Sequence, residues 1–162
     1  MTEPRWLAEA RRHLGAREIS GRKHNPLILR WWTLIRAPFT DDETPWCAGF
    51  VGGVLESCEL RSSRSAAARS YLKWGRALAS PRPGCIVVFA RGPRFGHVGF
   101  VVGTDRAGNL LVLGGNQGDA VNIKPFARGR VLGYRWPANE ALPDAAPLPV
   151  LALGGRLSQN EA

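Results

Sequence analysis

The chain has 162 residues, 44% of them hydrophobic, which fits one globular domain with its own core. The formal net charge of +9 favours anionic partners, but the basic residues form no nucleic-acid-binding motif, so nucleic-acid binding is not expected. No apolar run reaches the roughly 18 residues of a membrane span, and the first residues lack a secretory signal, which predicts synthesis in the cytoplasm.

Helical patterns fill the first half of the chain, where apolar residues recur at helical spacing. Asn25 and Thr44 each precede a proline, which predicts that they are the N-caps of two helices. Helices are predicted over residues 2–14, 26–35, 45–58 and 63–74, with a loop at residues 36–43.

After the turn at residues 81–84 the pattern changes to short apolar runs separated by turn residues. Strands are predicted over residues 85–90, 97–103, 110–115, 120–126 and 130–137. Helices followed by antiparallel strands define an α+β fold, with N-terminal helices packed on a small antiparallel sheet. Residues 1–137 are expected to form this domain, and the Ala- and Pro-rich residues 138–162 a tail.

Cys47 lies in the first turn of the predicted third helix, where unpaired backbone N–H groups and the helix dipole favour an anion. This position predicts a lowered thiol pKa and a nucleophilic role. The alternative is that Cys47 is a small core residue. Structural roles are expected of Cys58 and Cys85. The cysteine and histidine spacing fits neither a disulfide framework nor a metal site, so no metal is expected.

A nucleophilic cysteine needs a base and a group that orients the base. Among the three histidines, His97 opens a predicted strand, where its side chain can project at the end of the sheet. If Thr104 pairs with Asn109, residues whose numbers sum to 213 face each other, and His97 lies opposite Asn116. Asn116 could then orient the imidazole through its side-chain oxygen. The alternative is a polar pair at a sheet edge.

The order of cysteine, histidine and asparagine follows the logic of papain-like hydrolases. The segments DETPWCA at 42–48, PG before a VVF strand, GHVGF at 96–100 and GGNQ at 114–117 resemble the CHAP and NlpC-like peptidoglycan hydrolases, especially short phage endolysins. The resemblance implies a papain-like fold without a cofactor, in which Cys47 is the nucleophile, His97 the base and Asn116 the orienting residue. Candidates for oxyanion stabilisation or substrate binding are Asp42, Thr44, Trp46 and Gln117.

The implied activity is cleavage of an amide bond in peptidoglycan, as an N-acetylmuramoyl-L-alanine amidase or a peptide endopeptidase that serves bacterial cell lysis. Such a protein acts on the wall after release or export, and its positive charge attracts anionic wall polymers. Two alternatives stay open. One is an antibacterial effector or another papain-fold amidohydrolase or transferase. The other is a non-catalytic module that binds the cell wall and keeps Cys47 in its core.

Overall fold

The computed structural model describes residues 3–19, 23–152 and 157–158. Three α-helices come first, and a 3₁₀ helix at Ala68–Lys73 leads into six strands. The helices are α1 (Arg5–Arg11), α2 (Pro26–Leu34) and α3 (Cys47–Ser57). The strands are β1 (Arg76–Leu78), β2 (Ile86–Arg91), β3 (Phe95–Thr104), β4 (Leu110–Gly114), β5 (Asn122–Phe126) and β6 (Val131–Trp136). This order confirms the expected α+β class.

The six strands form one antiparallel sheet in the order β1-β6-β2-β3-β4-β5. Helix α3 packs against β3, and α2 packs against α3, so the core lies between the sheet and these helices. Within the described part of the chain, no helix is long and apolar enough to cross a membrane. The strand β3, inside the sheet, therefore sits directly under the helix that carries Cys47.

Glycines allow α3 to approach α2 closely. A Cβ atom on Gly52 would lie 2.4 Å from the side chain of Ile35, and one on Gly53 would lie 2.3 Å from Trp31. Glycine lowers helix stability by about 0.5–1 kcal/mol relative to alanine, a cost that this close packing offsets. Helix α3 is thus held closely against α2.

The start of α3 differs from the prediction. The helix begins at Cys47 with Trp46 as its N-cap and without a side-chain cap. Thr44 was the wrong cap because Asp41 already accepts hydrogen bonds from its backbone N–H and its hydroxyl, at 2.6 and 3.2 Å. Asn25, by contrast, does cap α2, since its side chain accepts a hydrogen bond from the N–H of Leu27.

Two helices are shorter than expected. The first ends at Arg11, because the chain turns and the N–H of Gly15 donates to the carbonyl of Val121 in the sheet. Residue 2, where that helix was predicted to begin, lies outside the described residues. The fourth shrinks to the 3₁₀ helix because Ser62 and Ser65 accept backbone N–H groups two residues ahead and compete with helical bonds.

The β3–β4 hairpin closes one residue later than predicted, with Thr104 opposite Leu110 rather than Asn109. A register shift between Val101 and Gly103 then moves the pairing by one residue. Beyond it, Phe100 pairs with Leu113, which restores the predicted sum of 213. The bulge therefore restores the predicted register at the end of the β3–β4 pair that lies nearer to His97.

The described part of the C-terminal tail returns to the sheet. Thr104 donates its N–H to the carbonyl of Pro149 and accepts a hydrogen bond from the N–H of Leu151, at 2.9 and 2.8 Å. Val150 forms a parallel bridge with Thr104. The segment at residues 149–151 thus extends the sheet at the end of β3 that lies away from His97.

Candidate active site

Cys47 is the first residue of α3 and is 4% exposed. The backbone N–H groups of Val98 and Ala48 lie near enough to its sulfur to act on the pKa of the thiol. Because Val98 directly follows His97, this proximity brings the predicted nucleophile to the strand segment that carries the predicted base.

The predicted lowering of the Cys47 pKa is wrong. Burial has the largest influence and raises the pKa of this thiol. The N–H groups of Val98 and Ala48 and the positive charge of Arg91 act in the opposite direction but do not outweigh burial. Burial therefore favours the neutral thiol form of Cys47.

His97 lies on β3 with its side chain fully buried. Its imidazole stacks on the ring of Phe126, with centroids 5.3 Å apart and planes 7° from parallel. Phe89, which pairs with His97 in the β2–β3 ladder, is stacked with both Phe126 and His97. The plane of the imidazole is therefore set by aromatic packing.

Gln117 sets the orientation of the imidazole within that plane. Its Oε1 lies 2.9 Å from Nε2 of His97. Its Nε2 donates to the backbone and side-chain oxygens of Asn122, at 3.0 and 2.9 Å. Since the amide nitrogen is committed to these oxygens, Oε1 is the atom that faces His97, and the Nε2 of His97 is the donor. Nδ1 is then the basic nitrogen of the neutral imidazole.

The space for this amide exists because residue 114 has no side chain. A Cβ atom on Gly114 would lie 2.3 Å from Oε1 of Gln117 and 3.2 Å from Nε2 of His97. Asn122 also donates its side-chain N–H to the carbonyl of Gln117 at 2.8 Å. The turn after β4 is thus built around the contact between Gln117 and His97.

Asn116, the predicted orienting residue, is buried in the same turn and has a φ of 58°. The strand pairing predicted between His97 and Asn116 is not formed, because β4 ends at Gly114 and the chain turns there. Asn116 nevertheless lies in the same turn as Gln117. The hydrogen bond to the Nε2 of His97 comes from the neighbouring residue, which the sequence analysis assigned to substrate binding.

Asp42 and Trp46 are both fully buried. The carboxylate of Asp42 accepts the N–H groups of Ile19 and Asn25 at 2.7 and 2.9 Å, and it pairs with Nδ1 of His24 at 3.0 Å. Burial acts to raise the pKa of Asp42, but these donors together hold it below its usual value. Asp42 thereby ties together the segments that precede α2 and α3.

Trp46 donates its indole N–H to Oε1 of Glu18 at 2.7 Å. Burial is the main cause that raises the pKa of Glu18, and this hydrogen bond acts against it. Neither Trp46 nor Asp42 lines the cleft described below. Of the four candidates for oxyanion or substrate contacts, only Thr44 does.

A cleft of about 320 Å³ opens onto Cys47. One wall comes from the segment before α3 and from residues 66–68, and the other from the turn between β2 and β3. Its lining residues are Thr44, Pro45, Cys47, Ala66, Ala67, Ala68, Arg69, Arg91, Arg94, Phe95 and Gly96. The sequence analysis treated residues 91–96 only as a turn, since an arginine at a turn gives no signal of a binding role by itself. In the described part of the chain, no group of three or more His, Cys, Asp or Glu residues could hold a metal ion.

The fold and the site define a class of protein: an α+β domain that brings a cysteine at a helix start to a histidine on a neighbouring strand, as cysteine–histidine hydrolases do. The sequence model of the CHAP domain matches residues 39–116, so this segment is similar to CHAP domains. The match includes Cys47, His97 and Asn116. CHAP domains are generally cysteine- and histidine-dependent amidohydrolases or peptidases, and they point to peptidoglycan as substrate. No curated protein matches the chain.

Proposed function

We propose that this protein hydrolyses an amide bond of peptidoglycan, as an N-acetylmuramoyl-L-alanine amidase or a peptide endopeptidase, with Cys47 as nucleophile and His97 as base. The observation that carries the proposal is that Cys47, the first residue of α3, lines a cleft and has the backbone N–H of Val98, the residue after His97, near its sulfur. The cysteine thus lies beside the strand residue next to His97, at a cleft of about 320 Å³.

In the proposed reaction, Nδ1 of His97 takes the proton from the Cys47 thiol as the thiolate attacks the amide carbonyl. The raised pKa of the thiol fits this order, because the proton leaves when the substrate is in place. Backbone N–H groups at the start of α3 are suited to hold the oxyanion. Thr44 lines the cleft, but its N–H and hydroxyl both donate to Asp41, so its proposed role is contact with the substrate rather than donation to the oxyanion.

The tetrahedral intermediate then collapses. The C–N bond breaks, the imidazolium gives its proton to the leaving amine, and an acyl-enzyme remains on the sulfur of Cys47. His97 next takes a proton from water, whose oxygen attacks the thioester carbon. Cleavage of the C–S bond releases the carboxylic acid, and the imidazolium returns its proton to the sulfur, which restores the thiol.

We assign the orienting role to Gln117, on the basis of its 2.9 Å hydrogen bond to His97. Asn116, the residue that the resemblance implies, is the alternative, and it lies in the same turn. In either assignment an amide oxygen holds the Nε2–H of the imidazole and keeps Nδ1 basic. Substitution of each residue separately distinguishes the two.

The biological role that we propose is bacterial cell lysis, with action on the wall after release or export from the cytoplasm. The net charge of +9 supports retention near anionic wall polymers. This attraction is electrostatic, so it weakens as the salt concentration rises.

The test is clearance of purified peptidoglycan by the wild-type protein, Cys47→Ala and Cys58→Ala. We expect wild type and Cys58→Ala to clear the suspension and Cys47→Ala to lose at least about 10³-fold in rate, as removal of a nucleophile does. Mass spectrometry of the fragments then identifies the cleaved bond. Activity retained by Cys47→Ala would overturn the mechanism, provided that circular dichroism shows all three proteins to be folded.

A non-catalytic wall-binding module is the second candidate, and the burial of Cys47 favours it. Such a module would sediment with peptidoglycan without releasing fragments, and Cys47→Ala would bind as the wild type does. If the wild type binds several wall types and cuts none of them, this second function replaces the first.

A further inference from the structure

Three arginines line the cleft beside Cys47, and no aspartate or glutamate is among the lining residues that the structure describes. Arg91 is the last residue of β2, and Arg94 lies in the turn before β3. Arg69 comes from the 3₁₀ helix opposite them. A cleft wall with several guanidinium groups and no carboxylate attracts an anion.

Arg69 holds the turn between β2 and β3 in place. Its Nε donates to the carbonyl of Phe95 at 3.0 Å, and its Nη2 donates to the carbonyl of Gly92 at 2.9 Å. The turn that carries Arg94 is therefore fastened to the opposite wall of the cleft. A guanidinium on a fastened turn loses less conformational freedom when it binds a ligand.

Arg91 lies at the inner part of the same wall. Its guanidinium carbon is 5.7 Å from the centroid of the Phe95 ring, which limits the directions that the side chain can take. Its positive charge also acts on the Cys47 sulfur, where it opposes the effect of burial. Arg91 and Cys47 thus line the same cleft, which allows both to contact one substrate.

We propose that Arg91 and Arg94 form an anion-binding subsite that takes a free carboxylate of the substrate, close to the amide bond that Cys47 attacks. A planar guanidinium matches a carboxylate with two parallel hydrogen bonds, whereas a carboxamide offers one acceptor oxygen and no charge. This inference rests on the proposed function for the identity of the substrate. It predicts that the enzyme prefers a stem peptide with a free carboxylate over one in which that carboxylate is amidated.

Alkylation of Cys47 tests the subsite without any need for peptidoglycan. Iodoacetate and iodoacetamide both alkylate the sulfur through their methylene carbon with loss of iodide, but only iodoacetate carries a carboxylate. The ratio of the two rate constants cancels the thiolate fraction, because the same thiolate attacks both reagents. Mass spectrometry of the peptide that contains Cys47 separates its reaction from those of Cys58 and Cys85.

We expect Arg91→Gln to lower the iodoacetate-to-iodoacetamide ratio by about tenfold, and Arg94→Gln by a smaller factor, as loss of a charge-assisted hydrogen bond does. Arg91→Lys keeps the charge and should keep most of the ratio. Arg106→Gln, in the exposed turn between β3 and β4, changes the net charge equally and should leave the ratio as in the wild type. An unchanged ratio in folded Arg91→Gln and Arg94→Gln would overturn the subsite.

Hydrolysis of paired muropeptides then tests the substrate. Each pair differs only in one stem-peptide carboxylate, free in one member and converted to a carboxamide in the other. For at least one position we expect the wild type to favour the free acid by about tenfold or more in kcat/KM, and Arg91→Gln to lose that preference. Equal rates for every pair would refute the proposed specificity. Failure to cut any muropeptide would refute the hydrolase function, while the alkylation ratio still decides whether the subsite exists.

Discussion

Asp42 and Gln117 are both buried polar residues near the start of α3, and the sequence analysis placed both in the same group of candidates. Their partners differ. Asp42 accepts hydrogen bonds from two backbone N–H groups and is paired with the ring of His24, and all three partners belong to segments away from the cleft. Gln117 accepts a hydrogen bond from the imidazole of His97, the proposed base. Asp42 therefore holds chain segments together, whereas Gln117 contacts the proposed base.

The difference teaches that burial alone does not separate a structural polar residue from a functional one. A buried polar group always needs a partner, and the kind of partner determines its role. A carboxylate surrounded by backbone donors contributes to stability. An amide that holds a titratable ring in one orientation contributes to the rate. The two regions should therefore respond differently to substitution.

The largest effect is expected from Asp42→Ala, which leaves two backbone N–H groups and His24 without their acceptor. We expect a loss of about 3 kcal/mol in the free energy of unfolding, measured by urea denaturation. Asp42→Asn keeps one acceptor oxygen and should lose less. Asp144→Ala, at an exposed position, provides the matched charge control and should unfold as the wild type does. A folded Asp42→Ala protein with wild-type stability and no activity would place Asp42 in the chemistry instead.

Gln117→Ala should show the opposite pattern. The imidazole of His97 loses the acceptor that selects its orientation, so we expect kcat to fall by about 100-fold, or about 2.7 kcal/mol, with KM little changed. Stability should fall by no more than about 1 kcal/mol, the loss of ordinary hydrogen bonds. If Asn116→Ala loses this activity and Gln117→Ala keeps it, the orienting role belongs to Asn116.

Asn122→Ala tests the residue that holds the side chain of Gln117. Asn122 holds the amide nitrogen of Gln117 and thereby directs its oxygen at His97. Without it the amide can rotate, and we expect kcat to fall by about tenfold, less than for Gln117→Ala. Lys124→Ala, an exposed substitution on the same strand, should leave kcat unchanged. Equal losses in both variants would mean that β5 acts only through its overall stability.

The smallest effect concerns pH. The hydrogen bond to Asp42 raises the pKa of His24 in the folded protein. The contribution of His24 to stability is therefore complete below the pKa of the unfolded chain, about 6.5, and is lost as the pH rises through the higher pKa of the folded state. The pKa of Asp42 is lowered, so its contribution is complete above about pH 4 and is lost in acid. The stability difference between wild type and His24→Ala should therefore be largest from about pH 4 to 6.5 and smaller at pH 8. A difference independent of pH would show that the pair is not ionised.

Much of the molecule could be predicted from its residues. Hydrophobic periodicity indicated α2, α3 and the five longer strands, since a buried face leaves its spacing in the sequence. Turn composition placed the β3–β4 hairpin to within one residue. The 3-residue strand β1 was missed, because so short a segment has no period. The prediction of a fourth α-helix was wrong because serine side chains compete for the backbone N–H groups of that segment.

The sequence by itself determined the α+β class, the helix that carries Cys47 and the strand that carries His97. These features follow from local patterns of apolar, turn and capping residues. Tertiary structure alone decided three others: the raised pKa of the thiol, the choice of Gln117 as the partner of His97, and the arginines at the cleft. Desolvation depends on what covers a side chain, and a hydrogen bond depends on where the chain turns. Neither is recorded in residue spacing, because both arise between segments that are distant in the sequence.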